Sequence, residues 1–300
     1  MTINTQSTSI KDRIFALIQL FLPHHFLSGI MYKITRIETL WFKNFIIKKI
    51  IEIYDVDMSQ AQNENVQDFK NFNDFFTRPL KTNARPIAEG AHSIISPVDG
   101  TVSEVGKINN DQIFQAKGIS YSLEALVGGS PERAEFYRNG YFATLYLSPR
   151  DYHRIHMPIS GHLREMVHVP GRLFSVSPST TRSVAGLFAR NERVVAGFST
   201  DAGAMAMILV GAIFVSSMET VWAGTITPPR GKHLRQWSYD TQEPICLERA
   251  EEMGRFNMGS TVILLFPENS IEWEQSLVAG KKIQFGEKIG EVVLKEQHTG

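Results

Sequence analysis

Residues 258–266 read Met258-Gly259-Ser260-Thr261-Val262-Ile263-Leu264-Leu265-Phe266. From Thr261 the run is short and apolar, with Gly and Ser before it and Pro267 after it, the pattern of a buried β-strand. The same texture recurs in Ile94 to Val102, Tyr141 to Leu147, Met205 to Ser217 and Lys282 to Leu294, each set off by Gly, Pro or Ser. A β-rich body is therefore expected from about residue 93 onward.

Upstream the pattern is helical. Phe69-Lys70-Asn71-Phe72-Asn73-Asp74-Phe75-Phe76 reads as a short helix that ends near Arg78-Pro79. Glu38 to Tyr54 reads as a longer one, because polar Asn44, Lys48, Lys49 and Glu52 recur at helical spacing. They leave Phe42, Ile46, Ile47, Ile50, Ile51 and Ile53 as a broad apolar face. Ser9 followed by Asp12 marks a further helix start, with Pro23 as its stop. The expected fold class is α+β, with a helical N-terminal region over residues 1–68 and a β-rich body over residues 69–300.

The 300 residues carry 31 Lys plus Arg against 31 Asp plus Glu, a net charge of zero. Nucleic-acid binders draw much of their affinity from neutralising phosphates, so no nucleic-acid partner is expected. A hydrophobic content of 43% indicates an ordered globular chain. Cys246 is the single cysteine, which excludes a disulfide framework and a Cys-based metal cluster. No apolar stretch reaches the about 20 residues of a spanning helix, and the polar start fits neither a secretory signal nor a transit peptide. The zero charge is uneven, however. Residues 1–54 hold seven cations against three anions, a local charge of +4, and eight of the 31 aromatic residues. Helices of this kind either cover their own core or lie on a membrane surface, and aromatics interleaved with Lys and Arg suit a headgroup boundary.

Two constellations could carry chemistry. His153, His156, His162 and His168 fall within 16 residues, which raises a metal site. Pro149, Pro158 and Gly161 point instead to an irregular loop or strand end, and neither a third ligand nor a second layer of partners is evident. His162 and His168 read as surface or satisfied core residues. In the second constellation, Asp99 sits in the tight turn Ser96-Pro97-Val98-Asp99-Gly100, where its carboxylate could orient an imidazole or simply bond its own backbone. Ser260 precedes a strand, a common place for Ser, and lacks the Gly-x-Ser-x-Gly setting of a nucleophile elbow.

Three motifs go further. Tyr146-Leu147-Ser148-Pro149-Arg150-Asp151-Tyr152-His153-Arg154-Ile155-His156-Met157-Pro158, Glu219-Thr220-Val221-Trp222-Ala223-Gly224, and Gly254-Arg255-Phe256 followed by Met258-Gly259-Ser260-Thr261 closely resemble phosphatidylserine decarboxylase of the bacterial membrane-associated type. The likeness runs from about Phe72 to the C-terminus behind a similar helical lead-in. Met258 departs from the Leu that the family more often has, a swap of similar volume.

The resemblance implies a self-processing proenzyme. Asp99, His156 and Ser260 would act once as a triad, with His156 taking the Ser260 proton and Asp99 holding the imidazole. Attack on the Gly259 carbonyl, an N-to-O acyl shift and β-elimination would cut the chain between 259 and 260, into a β chain of residues 1–259 and an associated α chain of residues 260–300. Ser260 would become a pyruvoyl group, the only cofactor, with no metal and no pyridoxal phosphate. Its carbonyl would form a Schiff base with phosphatidylserine and act as the electron sink that releases CO₂ and phosphatidylethanolamine, in phospholipid biosynthesis. His153 is the candidate proton donor. Such an enzyme would be peripheral on the cytoplasmic side of the cell membrane, docked on an anionic surface by part of residues 10–54, and a homo-oligomer is compatible with it. Two other classes remain: a serine hydrolase using the same three residues, which needs Ser260 to survive, and a non-catalytic membrane-surface module, which needs neither Gly259 nor Ser260.

Overall fold

The computed structural model describes Gln19 and residues 21–116, 118–215, 217–228, 231–240 and 243–294. The helix expected from Ser9 lies outside these residues. The N-terminal part contains α1 (His24–Ile34), α2 (Leu40–Tyr54) and α3 (Phe72–Phe76). Pro23 is where α1 begins rather than where a helix only stops, since a proline's missing N–H is harmless ahead of the first turn.

Eighteen strands follow among the described residues. The first seven are Ser93–Ile95 (β1), Gly100–Lys107 (β2), Gln112–Ala116 (β3), Ile119–Ser122 (β4), Tyr141–Tyr146 (β5), Arg154–His156 (β6) and Gly161–Val169 (β7). Next come Arg193–Thr200 (β8), Gly203–Val210 (β9), Ser217–Thr220 (β10), Gly224–Thr227 (β11), Arg235–Ser238 (β12) and Cys246–Leu247 (β13). Glu252–Asn257 (β14), Thr261–Phe266 (β15), Ile271–Trp273 (β16), Lys282–Ile283 (β17) and Lys288–Val292 (β18) complete the chain. The main sheet runs β12-β7-β8-β9-β15-β5-β2-β17, with β13 also paired to β7. A smaller sheet runs β11-β10-β14-β6, and the chain passes from it into the main sheet at residues 258–260.

The quoted strand sits near the middle. β15 is flanked by β5 and β9, and all six of its residues are buried. That double burial explains a continuous apolar run in place of the alternation of a one-sided strand. Three other stretches expected as single strands are broken. Pro97 interrupts Ile94 to Val102, a turn at residues 211–215 interrupts Met205 to Ser217, and Gly286, at φ 87, interrupts Lys282 to Leu294.

A second, smaller core joins α2 to α3. Ile47, Val56, Phe69, Phe72, Phe75 and Phe76 pack together, with Ile46, Ile50 and Ile51 against them, so this core spans residue 68. The apolar face of α2 is narrower than its sequence suggests, because Ile53 is exposed and Lys43 is buried. Lys43 Nζ donates to the carbonyls of Val66 (3.3 Å) and Gln67 (3.1 Å) and to Asn44 Oδ1 (3.0 Å), which offsets the burial of its charge. The opposite face presents Trp41 and Phe45, 73% and 58% exposed, beside exposed Lys48 and Lys49. Among the described residues no helix is long and apolar enough to cross a membrane.

Candidate active site

Four strands end in register at one edge of the main sheet. Thr261 pairs with Tyr146, Tyr146 with Thr101, and Thr101 with Lys282. The next row therefore aligns Ser260, Leu147, Gly100 and Ile283, and Leu147 N donates to Ser260 O at 2.8 Å. Gly100 permits this packing, since a Cβ there would lie 2.3 Å from the Tyr146 carbonyl oxygen. Asp99 is carried at the same edge, about two strand spacings or 10 Å from Ser260 in backbone terms.

Ser260 is fully buried and its Oγ has no hydrogen-bond partner. The peptide before it is reached through Met258, which stands at φ 95, a left-handed conformation that a side chain disfavours. Gly259 is crowded by an imidazole: a Cβ on it would lie 3.3 Å from His153 Nε2. His153 is itself fully buried, with Nδ1 2.7 Å from Asp151 O and its ring centroid 4.1 Å from that of Phe76. A carbonyl only accepts, so Nδ1 carries the proton and Nε2 is a bare acceptor without a partner. Burial, aided by the Arg78 charge, lowers the His153 pKa to about 3. Two orphaned polar atoms thus flank the 259–260 peptide, contrary to the usual pairing of buried groups.

His156 and Asp99 belong to a neighbouring cluster. His156 Nδ1 donates to Ala250 O (2.7 Å), which leaves Nε2 to accept from Tyr152 OH at 2.9 Å, and the ring stacks on Phe285 at 3.8 Å. Burial lowers its pKa. Asp99 accepts from Arg85 Nε (2.9 Å) and Nη2 (2.5 Å) and from Phe285 N (2.8 Å). The group that sets the His156 tautomer is therefore a backbone carbonyl rather than Asp99. Among the described residues, Asp99, His156 and Ser260 lie at one end of the fold without hydrogen bonds between them, whereas His153 touches the peptide next to Ser260. Sequence reasoning missed Arg85, Tyr152, Phe76 and Phe285. Tyr152 stands inside the quoted motif, but Phe285 lies 186 residues from Asp99 and left no local signal.

The four histidines disperse. His153 and His156 pack against different partners, as a three-residue offset along extended backbone requires. His162 is exposed, with Nδ1 2.9 Å from Cys246 Sγ, and His168 is buried against Glu192 at 3.0 Å. Among the described residues no group of three or more His, Cys, Asp or Glu side chains is placed to hold a metal ion. A cavity of about 430 Å³ opens beside the peptide, lined by Tyr54, Phe76, Leu147, Phe214, Met258 and Gly259. Tyr54 and Phe214 are 39% and 43% exposed, and the cavity reaches from the 259–260 peptide to Leu22 and Tyr54 of the N-terminal region.

The family model described as phosphatidylserine decarboxylase matches residues 72–291. The chain belongs to the phosphatidylserine decarboxylase family. A second family model, described as PSD, matches residues 14–55. Similar proteins are described as phosphatidylserine decarboxylase proenzymes. The one from Nitrosococcus oceani is 49% identical over 98% of this chain and 96% of its own, and that from Pseudomonas fluorescens is 50% identical over 94% and 98%. The one from Alkalilimnicola ehrlichii is 55% identical over 81% of this chain and 85% of its own.

Proposed function

We propose that this chain is a proenzyme that cleaves itself between Gly259 and Ser260 and then converts phosphatidylserine to phosphatidylethanolamine, with a pyruvoyl group formed from Ser260. The observation that carries the reading is the pair of orphans at one peptide, Ser260 Oγ and His153 Nε2. A serine left unpaired in a closed site is available for attack on its own peptide, and Gly259 leaves room for the carbonyl carbon to become tetrahedral. The same residues fit the resulting group, because residue 260 is fully buried and has a neutral imidazole close to it. The pyruvoyl carbonyl supplies the electron sink for the loss of CO₂.

The roles of the chain's own residues follow. Asp99, His156 and Ser260 are assigned to processing, supported by the main-sheet edge that Asp99 and Ser260 share and by Phe285, which donates to Asp99 and stacks on the His156 ring. His153 is assigned to proton delivery after cleavage, supported by its contact with residue 259. The cavity takes the headgroup. The helical region, residues 1–68, docks the β-rich catalytic body, residues 69–300, on the anionic cytoplasmic face of the cell membrane through the exposed aromatic and lysine face of α2. After cleavage β15 keeps the α chain in the sheet.

Intact-mass measurement of purified protein tests the reading: chains of 259 and 41 residues are expected, the shorter with a blocked N-terminus. A single active 300-residue chain would sink it. Ser260→Ala is expected to stay whole and inactive. His156→Ala is expected to stay whole, and His153→Ala to cleave without turnover. The reverse pattern would exchange the two imidazoles.

A further inference from the structure

Beside residue 259 a buried cation has no paired carboxylate, although Asp99 and Asp151 act on it from further off. Arg78 is 4% exposed, donates through Nη2 to the Arg150 carbonyl at 3.1 Å, and leaves Nε unpaired. Among the described residues no carboxylate lies within ion-pair distance of it. His153 beside it is neutral. The charged groups facing His153 are few: the Arg78 guanidinium, from the chain after α3, and Asp151 on its own loop, whose Oδ2 accepts from the Ser148 amide and hydroxyl. Met258, Gly259 and Ser260 bring no charge from the strand side. A buried imidazole next to a cation is a poor proton donor at neutral pH.

Cleavage changes that. Ser260 Oγ attacks the Gly259 carbonyl carbon, and the amide becomes an ester. Loss of the Ser260 Cα proton to a site imidazole breaks the Cβ–O bond and expels Gly259 as a carboxylate. A proton returns to Cβ, water replaces the nitrogen, and ammonia leaves without any oxidant or reductant. The new carboxylate is tethered close by. Two residues upstream, Asn257 is 1% exposed, donates to Ser217 Oγ and to Glu219 Oε1 (2.7 Å), and accepts from Asn73 Nδ2 (2.9 Å). Two residues span at most about 7 Å, so the chain end stays within that reach of Asn257 while Asn257 holds.

We infer that self-cleavage makes, besides the ketone, a carboxylate at this corner: the α-carboxylate of Gly259, kept in place by Asn257 as a positioning residue, becomes the counter-ion of His153 and turns it into the proton donor of the mature enzyme. This rests on the processing reading above and deepens it.

Nitrogen-15 NMR titration of His153 tests it. The Ser260→Ala chain is expected to keep His153 neutral to low pH, and the mature wild type to titrate about 1–3 pH units higher. Cleaved Asn257→Ala, with the tail released, is expected to fall back by about one unit and to lose about tenfold in kcat at neutral pH at unchanged KM. If that variant does not fold or cleave, Asn73→Ala, which withdraws one bond from Asn257, is expected to shift the titration in the same direction. Equal His153 titrations in uncleaved and mature protein would overturn the inference. So would a mature titration that the anchor variants leave unmoved, which would assign the shift to hydration. A wild type that never cleaves would instead overturn the processing reading.

Discussion

Gly259→Ala puts a single methyl group where the site is tightest. The added carbon would lie 3.3 Å from His153 Nε2 and 3.5 Å from the Leu147 carbonyl oxygen, so a neighbour must yield by a few tenths of an ångström. Neither is free to move: the imidazole is held by Asp151 O and by the Phe76 ring, and Leu147 is locked between β5 and Ser260. Residue 259 is not among those at positive φ, so backbone conformation does not forbid alanine, and the cost is one of space. Overpacking of this kind costs about 1–3 kcal/mol, and it grows as the carbonyl carbon becomes tetrahedral. Processing should slow by about fivefold to 150-fold. The assay is the half-life of the uncleaved chain, followed by denaturing gel and intact mass. Melting of Gly259→Ala in a Ser260→Ala background measures the ground-state part. A variant that cleaves at the wild-type rate and melts with its parent would refute the crowding and the placement of His153.

Other predictions reach the rest of the molecule. Trp41→Ala and Phe45→Ala should each weaken co-sedimentation with phosphatidylserine vesicles by about tenfold, the loss of about 1.5 kcal/mol or more of apolar burial, while folding is unchanged; equal binding would remove α2 as the docking face. Lys43→Met should lower stability by about 1–3 kcal/mol, read as an earlier melt, because the Val66 and Gln67 carbonyls lose their donor. Glu104, with no compensating partner, has its pKa pushed by burial from 4.5 up to about 7. The folded chain then binds more protons than the unfolded one across that window, so this residue's contribution is most favourable below pH 4.5 and is lost as pH rises to about 7. The stability difference between wild type and Glu104→Gln should follow that slope, and a flat difference would contradict it.

The parts of the fold that were legible are those where one local cause dominates. Thr261 to Phe266 is buried on both faces and flanked on both edges, so its sequence is apolar throughout and its type is plain. The strands misread as continuous are broken where the site needs an irregular backbone: at Pro97, just before Asp99, and beside Phe285, which binds Asp99 and stacks on His156. The turn residues Ser96 to Gly100 do mark the first break, but composition does not show what the breaks serve, since the partner lies far away in sequence. Helix α2 shows the same limit. Helical spacing placed Ile47 correctly, but it could not foresee that Lys43 is buried by two carbonyls from residues 66 and 67. Ser260 and the two histidines were singled out by motif. Which imidazole touches residue 259 depended on the path of the loop between β5 and β6.

The central position of β15 also bears on how the finished enzyme comes apart. Before the cut, unfolding is a one-molecule event, and the strand returns to its slot between β5 and β9 because it is covalently attached to its neighbours. After a cut between Gly259 and Ser260, the same event would release a free 41-residue peptide, and refolding would become a bimolecular reaction whose yield falls with dilution. Such a cut would leave the fold protected mainly by its unfolding barrier. Ser260→Ala protein should refold from denaturant at low concentration, where processed enzyme does not.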